Sequence, residues 1–451
     1  MVVQSTSLPP TVAELPGLPL LGQPLAFRRD RLWVQRRLAD AGDITRMRIG
    51  PRVVHVLSSA EAAQAVLAEH ADSFVKTRAL SVYGRALLGS GLLTSEHAHH
   101  RRQRKLLAPA FAHKRIAGYA DTMARLGEDA QARWRDGDTV DMAAEMMRVT
   151  LAIVGRTLFD VAIEEEAVAI YDAVTVCMEY IVNAVTSPLQ VPPTWPLPRN
   201  RRAQRAVARL DQTVFGIIAD RRIALSDRGD VLSMLLLARD DDGSGMSDGD
   251  VRDEIMTLMI AGHETTANAL AWTWLLLAQN PPAYDRVQVE IDGALAGRTP
   301  TGDDLARLPF TLQCLKESMR LYPPAHTVGR EAARDITIGP LALRRGDIVL
   351  VNIYGIHRRR DYFPEPESFR PERFAEAVDR ERPRGRYLPF GLGPRICIGN
   401  HFALMEGHLL LATIAQRWRF TMAEATPSPE PLVTLRPRGG MRMRLRMRQS
   451  T

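Results

Sequence analysis

The chain has 451 residues, 45% hydrophobic and 25% charged, with a formal net charge of +7, a globular balance that fits one large domain or two to three ordinary ones. Three scattered cysteines, Cys177, Cys314 and Cys397, exclude a disulfide framework and point to a reducing, cytoplasmic setting, and without an apolar run of about 18 residues or a basic N-terminal region no membrane anchor or signal peptide is expected. The arginine excess is dispersed and not interleaved with aromatics, which argues for acidic partners and against nucleic acid. No Gly-x-Gly-x-x-Gly, P-loop or internal repeat is present, so no nucleotide-binding module is expected.

In chain order, residues 1–20 form a proline-punctuated lead-in. Arg31 to Ala41 has helical character, and Ile44 to Ile49 with Val53 to Val56 reads as a hairpin turned at Gly50-Pro51. Ser59 caps an alanine-rich helix to Glu69. Lys76 to Ser95 carries Leu80, Val82 and Leu87 without a clean period and is expected as a loop. Glu96 to Ala112 is a basic helix in which His100 and Arg104, four apart, share one face. His97, His99 and His100 do not make a metal site, because the rings diverge and no well-placed carboxylate completes a set. Helices continue to about residue 187; proline-rich Ser187 to Arg199 cannot be a long helix, and helical pattern resumes over Arg201 to Ala224.

Ser247 to Asn280 is the longest helical pattern, opened by a Ser247/Asp250 capping pair and stopped by Pro281-Pro282. About 33 residues at ~1.5 Å each would span ~50 Å. The middle of such a helix should be apolar, yet it reads Ala261-Gly262-His263-Glu264-Thr265-Thr266, and buried polar groups cost stability unless satisfied. Thr265 lies four after Ala261, where its hydroxyl can take that carbonyl and open the helix locally; Gly262 would permit close approach of a flat ligand. Phe310 to Leu321 is helical and carries Glu317 and Arg320. Asp335 to Ile338, Leu341 to Leu343 and Ile348 to Val351 read as short strands, and Met441 to Arg448 alternates strictly, as a terminal strand with an arginine-rich exposed face.

The most informative stretch is Phe390-Gly391-Leu392-Gly393-Pro394-Arg395-Ile396-Cys397-Ile398-Gly399. A free cysteine is usually a small buried hydrophobe. Here a glycine-relaxed loop delivers the sulfur to the start of an amphipathic run, where a helix dipole should favour thiolate. A lone thiolate is a poor tetrahedral zinc site and a good axial ligand for haem iron. The stretch resembles the haem-thiolate signature of the cytochrome P450 family, Phe-x-x-Gly-x-Arg-x-Cys-x-Gly, at every fixed position. Ala261 to Thr265 is similar to the family's oxygen-activation motif, Ala/Gly-Gly-x-Asp/Glu-Thr.

The resemblance implies a mainly α (α+β) cytochrome P450 fold: a single domain over residues 21–451 with small β-sheets, holding haem b between the long helix and the cysteine helix. It implies that Cys397 ligates the iron, Phe390 shields the sulfur, Arg395 meets a propionate, and Gly391, Gly393, Gly399 and Ala261 lie close to the cofactor. The family places Trp or His, then Arg, before a Pro-x-Phe, here Pro109-Ala110-Phe111, which assigns His100 and Arg104 to the propionates; Arg330 has the same expectation. Thr265 would hydrogen-bond dioxygen or an ordered water and Glu264 would relay protons, while His263 has no assigned chemistry. Glu317, Arg320 and Arg373 look like the family's Glu-Arg-Arg triad, a structural brace. Leu80, Val82, Leu87, Ala261 and Val328 would line the substrate pocket, and residues 187–199 would gate it. After His357-Arg358, where many relatives have Asp-Pro, this chain has Arg359-Arg360 before Asp361, which leaves the local pairing open.

The expected function is monooxygenation of a small hydrophobic substrate such as a terpenoid, fatty acid, steroid or macrolide. Electrons would come from a separate acidic ferredoxin or flavodoxin with an NAD(P)H-dependent reductase, docking on the basic helix of a monomer. Alternatives are a peroxide-driven oxygenase of the same fold and a non-enzymatic haem sensor or carrier.

Overall fold

In a computed structural model the described residues are 12–14, 24–49, 52–163, 166–186, 191–223, 226–239, 243 and 245–448. Most of the predicted lead-in and the Gly50-Pro51 turn lie outside them. Within the lead-in, Ala13–Glu14 pairs in parallel with Thr45 and Arg46 as an edge of the first sheet.

The architecture follows from one long helix and what wraps it. Helix α1 (Arg31–Ala41) leads into strands β1 (Ile44–Ile49) and β2 (Arg52–Leu57), an antiparallel pair in the predicted hairpin register. Helices α2 (His97–Leu107), α3 (Met142–Leu158), α4 (Ala167–Thr186) and α5 (Pro198–Ile223) follow. Then comes α6 (Asp248–Gln279), 32 residues, with Ser247 and Asp250 forming the reciprocal capping box. Helix α7 (Pro309–Leu321) is succeeded by β3 (Val328–Ala332) and β4 (Ile348–Val351), and α8 (Asn400–Ala415) follows the cysteine loop. The chain ends with β5 (Trp418–Met422), the short hairpin β6 (Pro429–Pro431) and β7 (Leu435–Pro437), and β8 (Arg442–Met447). The first sheet has six strands in the order Ala13–Glu14, β1, β2, β4, β3, Phe74–Val75. The predicted terminal strand β8 lies between β5 and Thr139–Asp141, with its arginines on the outer face.

Helix α6 is buried along nearly its whole length, with Trp272, Trp274 and Leu275 fully enclosed. It crosses α3 at small residues: a Cβ on Gly262 would meet Val154 at 3.0 Å, and Thr150 donates to the His263 carbonyl at 3.0 Å. Gly262 therefore serves helix packing on that side, while it remains half-exposed beside Ala261. The helix also does not open at Thr265, since helical pairing continues through the segment.

Two further sequence expectations change. Lys76 to Ser95 is not a plain loop but contains a π turn, Ala79–Gly84, and a short helix, Arg85–Leu88. The basic helix ends at Leu107 and passes into a 3₁₀ turn over Ala108–Phe111, as Pro109 dictates.

Candidate functional site

The loop before α8 is shaped by backbone constraints that its residues meet. Cys397 N–H donates to the Phe390 carbonyl at 3.0 Å, closing the loop, and Gly391 N–H donates to the Leu388 carbonyl at 3.0 Å. Gly393 has φ +75, and a Cβ there would lie 2.0 Å from the Leu67 carbonyl oxygen, so no other residue fits without moving the π turn Ala65–Glu69. A Cβ on Gly399 would only touch Phe111 at 3.7 Å and Cys397 Sγ at 4.0 Å. Phe390 is half-buried against the core.

Cys397 is accessible to solvent although protein surrounds it closely enough to desolvate its thiol. Burial pushes its thiol up; the Gly399 N–H and the Arg104 guanidinium pull the other way without overcoming it. The expected pull of the helix N-terminus toward thiolate therefore works against burial, and a bound metal cation would favour the deprotonated sulfur.

Around this loop gathers an excess of buried positive charge. Arg104, half-buried, donates to the Ile396 carbonyl at 2.8 Å, while His100 on the same face is buried. Arg395 pairs with Glu96 and donates to the Ser95 carbonyl at 3.4 Å. Arg330 donates to the Gly329 carbonyl at 2.9 Å. Lys76, buried, gives its Nζ to the Leu92 and Ser95 carbonyls at 2.9 and 2.8 Å. The fields of neighbouring cations add to burial at Lys76, Arg330 and His100. Burial, then Arg395, brings Lys76 down to about 7; burial, then Arg395, brings Arg330 down to about 10. Burial, then Lys76, Arg395 and Arg104, brings His100 down to about 3, so it stays a neutral imidazole. Glu96 pairs with Arg395 and acts on Lys76 and Arg330, while Lys76 also senses Glu254. Such a surplus fits a ligand that brings its own carboxylates, as haem does with two propionates. Arg395, expected at a propionate, pairs with Glu96, and Lys76 and Glu96, which sequence reasoning missed, stand in the same cluster. His99, by contrast, turns to the Ser90 carbonyl at 3.1 Å, away from His100.

On α6 the polar cluster splits by face. Ala261 is accessible and Thr265 half-buried, whereas the residues before and after are enclosed, so the helix presents one small open patch at mid-length. Thr265 Oγ1 donates to the Ala261 carbonyl at 2.8 Å, as its spacing predicts. Glu264 faces the other way: buried, it accepts from Thr434 Oγ1 at 2.6 Å, and burial raises its carboxyl against the pull of Thr434 and Arg436. His263 Nδ1 lies 2.5 Å from the Met259 carbonyl, and burial lowers it to about 4, so it is a neutral core imidazole. Glu406 of α8, fully buried beside Thr266, has its carboxyl pushed well up by desolvation.

The frame around the site is ionic. Glu317 and Arg320 form a fully buried bidentate pair at 2.7 and 2.8 Å. Arg320 also donates to the His357, Pro366 and Ser368 carbonyls, and Arg373 Nε stands 3.4 Å from Glu317. Arg359, at the departure from the Asp-Pro pattern, forks between Asp43 and Asp361 and donates to the Ser58 carbonyl at 3.2 Å. That anchors the following segment to the β1 side of the sheet. Of the predicted pocket residues, Leu80, Val82 and Val328 are half-exposed, whereas Leu87 is buried in the core and its carbonyl accepts from Arg252.

Comparison with known proteins places this geometry. The family model described as Cytochrome P450 matches residues 13–442. The chain is 38% identical to cyclooctatin synthase of Streptomyces melanosporofaciens, over 93% of each chain. It is 37% identical to cyclooctat-9-en-7-ol 5-monooxygenase of the same species, again over 93% of each. Pentalenene oxygenase of Streptomyces avermitilis is 31% identical over 96% of this chain and 97% of its own. The crystal structure of a cytochrome P450DA heme domain superposes with TM-score 0.87 at 26% identity, covering 97% of this chain and 98% of that one.

Proposed function

The chain belongs to the cytochrome P450 family and is a haem-thiolate monooxygenase; from that premise we propose that it hydroxylates a terpenoid, with Cys397 as the iron ligand. The haem reading is carried by the accessible Cys397 beside the clustered Lys76, Arg104, Arg330 and Arg395, a donor set that suits an iron porphyrin with two propionates. Arg104, Arg330, Arg395, Lys76 and His100 would hold the propionates, with Arg395 leaving Glu96. The bound haem supplies dioxygen chemistry, which thiolate ligation directs toward O–O cleavage. The protein supplies protons and exclusion of water. Thr265 holds its hydroxyl at the open patch of α6, and Glu264, next in the chain, keeps a carboxyl that burial raises above the usual carboxylate range.

The terpenoid reading rests on relatives whose names specify cyclooctatin, cyclooctat-9-en-7-ol and pentalenene, together with the apolar, partly exposed Leu80, Val82 and Ala261. A separate ferredoxin and NAD(P)H-dependent reductase would dock on the exposed His97, Arg101, Lys105, Lys114 and Arg115. Carbon monoxide added to the reduced protein should give the red-shifted Soret band of thiolate ligation, and Cys397→Ala should lose it; the same band in both would exclude Cys397 as ligand. A spectral-shift screen should respond to pentalenene and cyclooctat-9-en-7-ol, and a response confined to fatty acids would exclude the terpenoid reading.

A further inference from the structure

A cleft of about 980 Å³ opens where the start of α1, the C-terminal ends of α6 and α7, residues 354–369 and the β6–β7 hairpin meet. That volume is typical of small-molecule sites, which run from ~300 to ~1,000 Å³. Cys397 and the cations grouped around it contribute nothing to the lining, so the cleft is separate from the site described above. Five arginines line it, Arg29, Arg31, Arg36, Arg358 and Arg438, together with three carboxylates, Asp30, Glu367 and Glu430.

The carboxylates are already engaged. Asp30 accepts from the Trp33 N–H at 2.9 Å as the cap of α1. Glu367 is shared by Arg36 and Arg358, at 3.2 and 3.3 Å. Glu430 is shared by Arg438 at 3.7 Å and by Arg436, outside the lining, at 2.9 Å. Arg358 is the least well served. Its side chain is 7% exposed, yet Nη1 has no hydrogen-bond partner among the described residues, and Glu367 is itself 55% exposed. Arg320 and Arg221, buried elsewhere, each meet a buried carboxylate at 2.7 Å. Arg358 is held instead by the Tyr354 ring, 3.7 Å from its guanidinium, and by the Leu321 carbonyl, while Arg36 donates to the same Tyr354 hydroxyl at 3.0 Å. A buried guanidinium with an unmet N–H is costly, and two cations gathered on one ring repel. An anion with several oxygens would relieve both.

We propose that this cleft binds a small organic polyanion carrying phosphate or clustered carboxylate groups, with Arg358 and Arg36 as inner contacts and Arg29 and Arg438 at the rim. Trp33, 49% exposed in the lining, offers a flat apolar surface to the carbon frame of such a ligand. Because the walls come from five separate stretches of chain, an occupant would brace α1 against the hairpin, which already meet through the Arg31 donation to the Pro431 carbonyl at 2.6 Å.

The test titrates the haem-loaded protein with inorganic pyrophosphate and, separately, with citrate, using sodium chloride of equal ionic strength as the blank. At least one of the two should bind with a calorimetric Kd below about 1 mM and raise the melting midpoint by several degrees, while chloride does neither. The tighter of the two tells phosphate from carboxylate chemistry. Hydrogen exchange in its presence should slow over residues 29–36 and 428–438. Arg358→Gln, and separately the exposed rim pair Arg29→Ser with Arg438→Ser, should weaken binding roughly tenfold or more, the loss expected for a charge-assisted hydrogen bond. Arg444→Ser with Arg446→Ser, which removes the same charge from the outer face of β8, should leave it unchanged. If Arg358→Gln does not load haem, the rim pair and the exchange map decide. Binding of neither anion overturns the site, as does an equal loss in the β8 pair or protection confined to other parts of the chain.

Discussion

Gly391 and Gly393 sit two apart in the cysteine loop with the same left-handed backbone, φ +74 and +75, yet they answer to different constraints. A Cβ at Gly391 meets nothing within 4 Å, so alanine there adds only backbone strain, about 1–2 kcal/mol. At Gly393 the same Cβ would collide with the Leu67 carbonyl and the backbone of Ala68, which belongs to another element. Gly393→Ala should therefore displace the loop and lower haem content, read as the Soret-to-protein absorbance ratio, well below that of Gly391→Ala, with circular dichroism of the helices unchanged. Equal ratios in the two variants would show that the Leu67 contact is not what sets the loop. Residues of this kind were legible because a loop built on glycine, arginine and cysteine at fixed offsets leaves its geometry in residue identity. Lys76, Glu96 and Thr434 were not: each acts through a partner far along the chain, Lys76 on Ser95, Glu96 on Arg395, Thr434 on Glu264, and no local pattern encodes that.

Among elements, α7 shows how one buried ion pair can organise a segment without local secondary structure. Glu317 accepts from Arg320 through both oxygens and from the Arg370 N–H at 2.9 Å, so a single carboxylate ties the helix to the stretch that leads toward the cysteine loop. Glu317→Gln leaves Arg320 charged, fully buried and short of its counter-ion, which should cost about 3–5 kcal/mol. Arg373 is held more loosely, at 3.4 Å from Glu317 with other bonds to the Pro364 and Glu365 carbonyls. Urea midpoints should therefore fall much further for Glu317→Gln than for Arg373→Ala, and the reverse order would place the strain on the outer member. Periodicity delivered the long elements closely: Asp248–Gln279 and Pro309–Leu321 lie within a residue of their expected limits. It failed over Lys76 to Ser95 because that segment is shaped from outside. Asp253 accepts from the Ser90 N–H at 2.6 Å, Glu254 from the Leu92 N–H at 3.0 Å, and Arg252 donates to the Leu87 carbonyl, all from α6.

At the scale of the whole molecule, distant parts of the chain are joined by histidines that must stay neutral. His326 takes the Gln35 amide of α1 at Nδ1, 3.0 Å away, and gives Nε2–H to the Leu432 carbonyl at 3.1 Å, linking the first helix to the hairpin that carries Thr434. His408 of α8 ties to the Leu308 carbonyl at 2.8 Å in the same manner. Burial lowers both to about 4, with nearby Arg31 adding to the effect at His326. An unfolded imidazole takes up its proton near 6.5, so acidification from there toward 4 favours the unfolded chain, and the stability these residues confer is complete only above about 6.5. Glu254, which burial raises to about 7, works in the opposite sense, because the folded carboxyl keeps a proton that the unfolded one has released above about 4.5. The net slope mixes the two signs, and a single substitution separates them. His326→Gln should be less stable than the parent at pH 7.5, since it loses one of two bridging bonds, yet between pH 7.5 and 5 it should escape a loss of about 2 kcal/mol that the parent suffers. Urea unfolding of both proteins at the two pH values should show the gap narrowing on the acid side; parallel curves would mean that His326 already titrates in the folded protein and is not the neutral bridge its two bonds require.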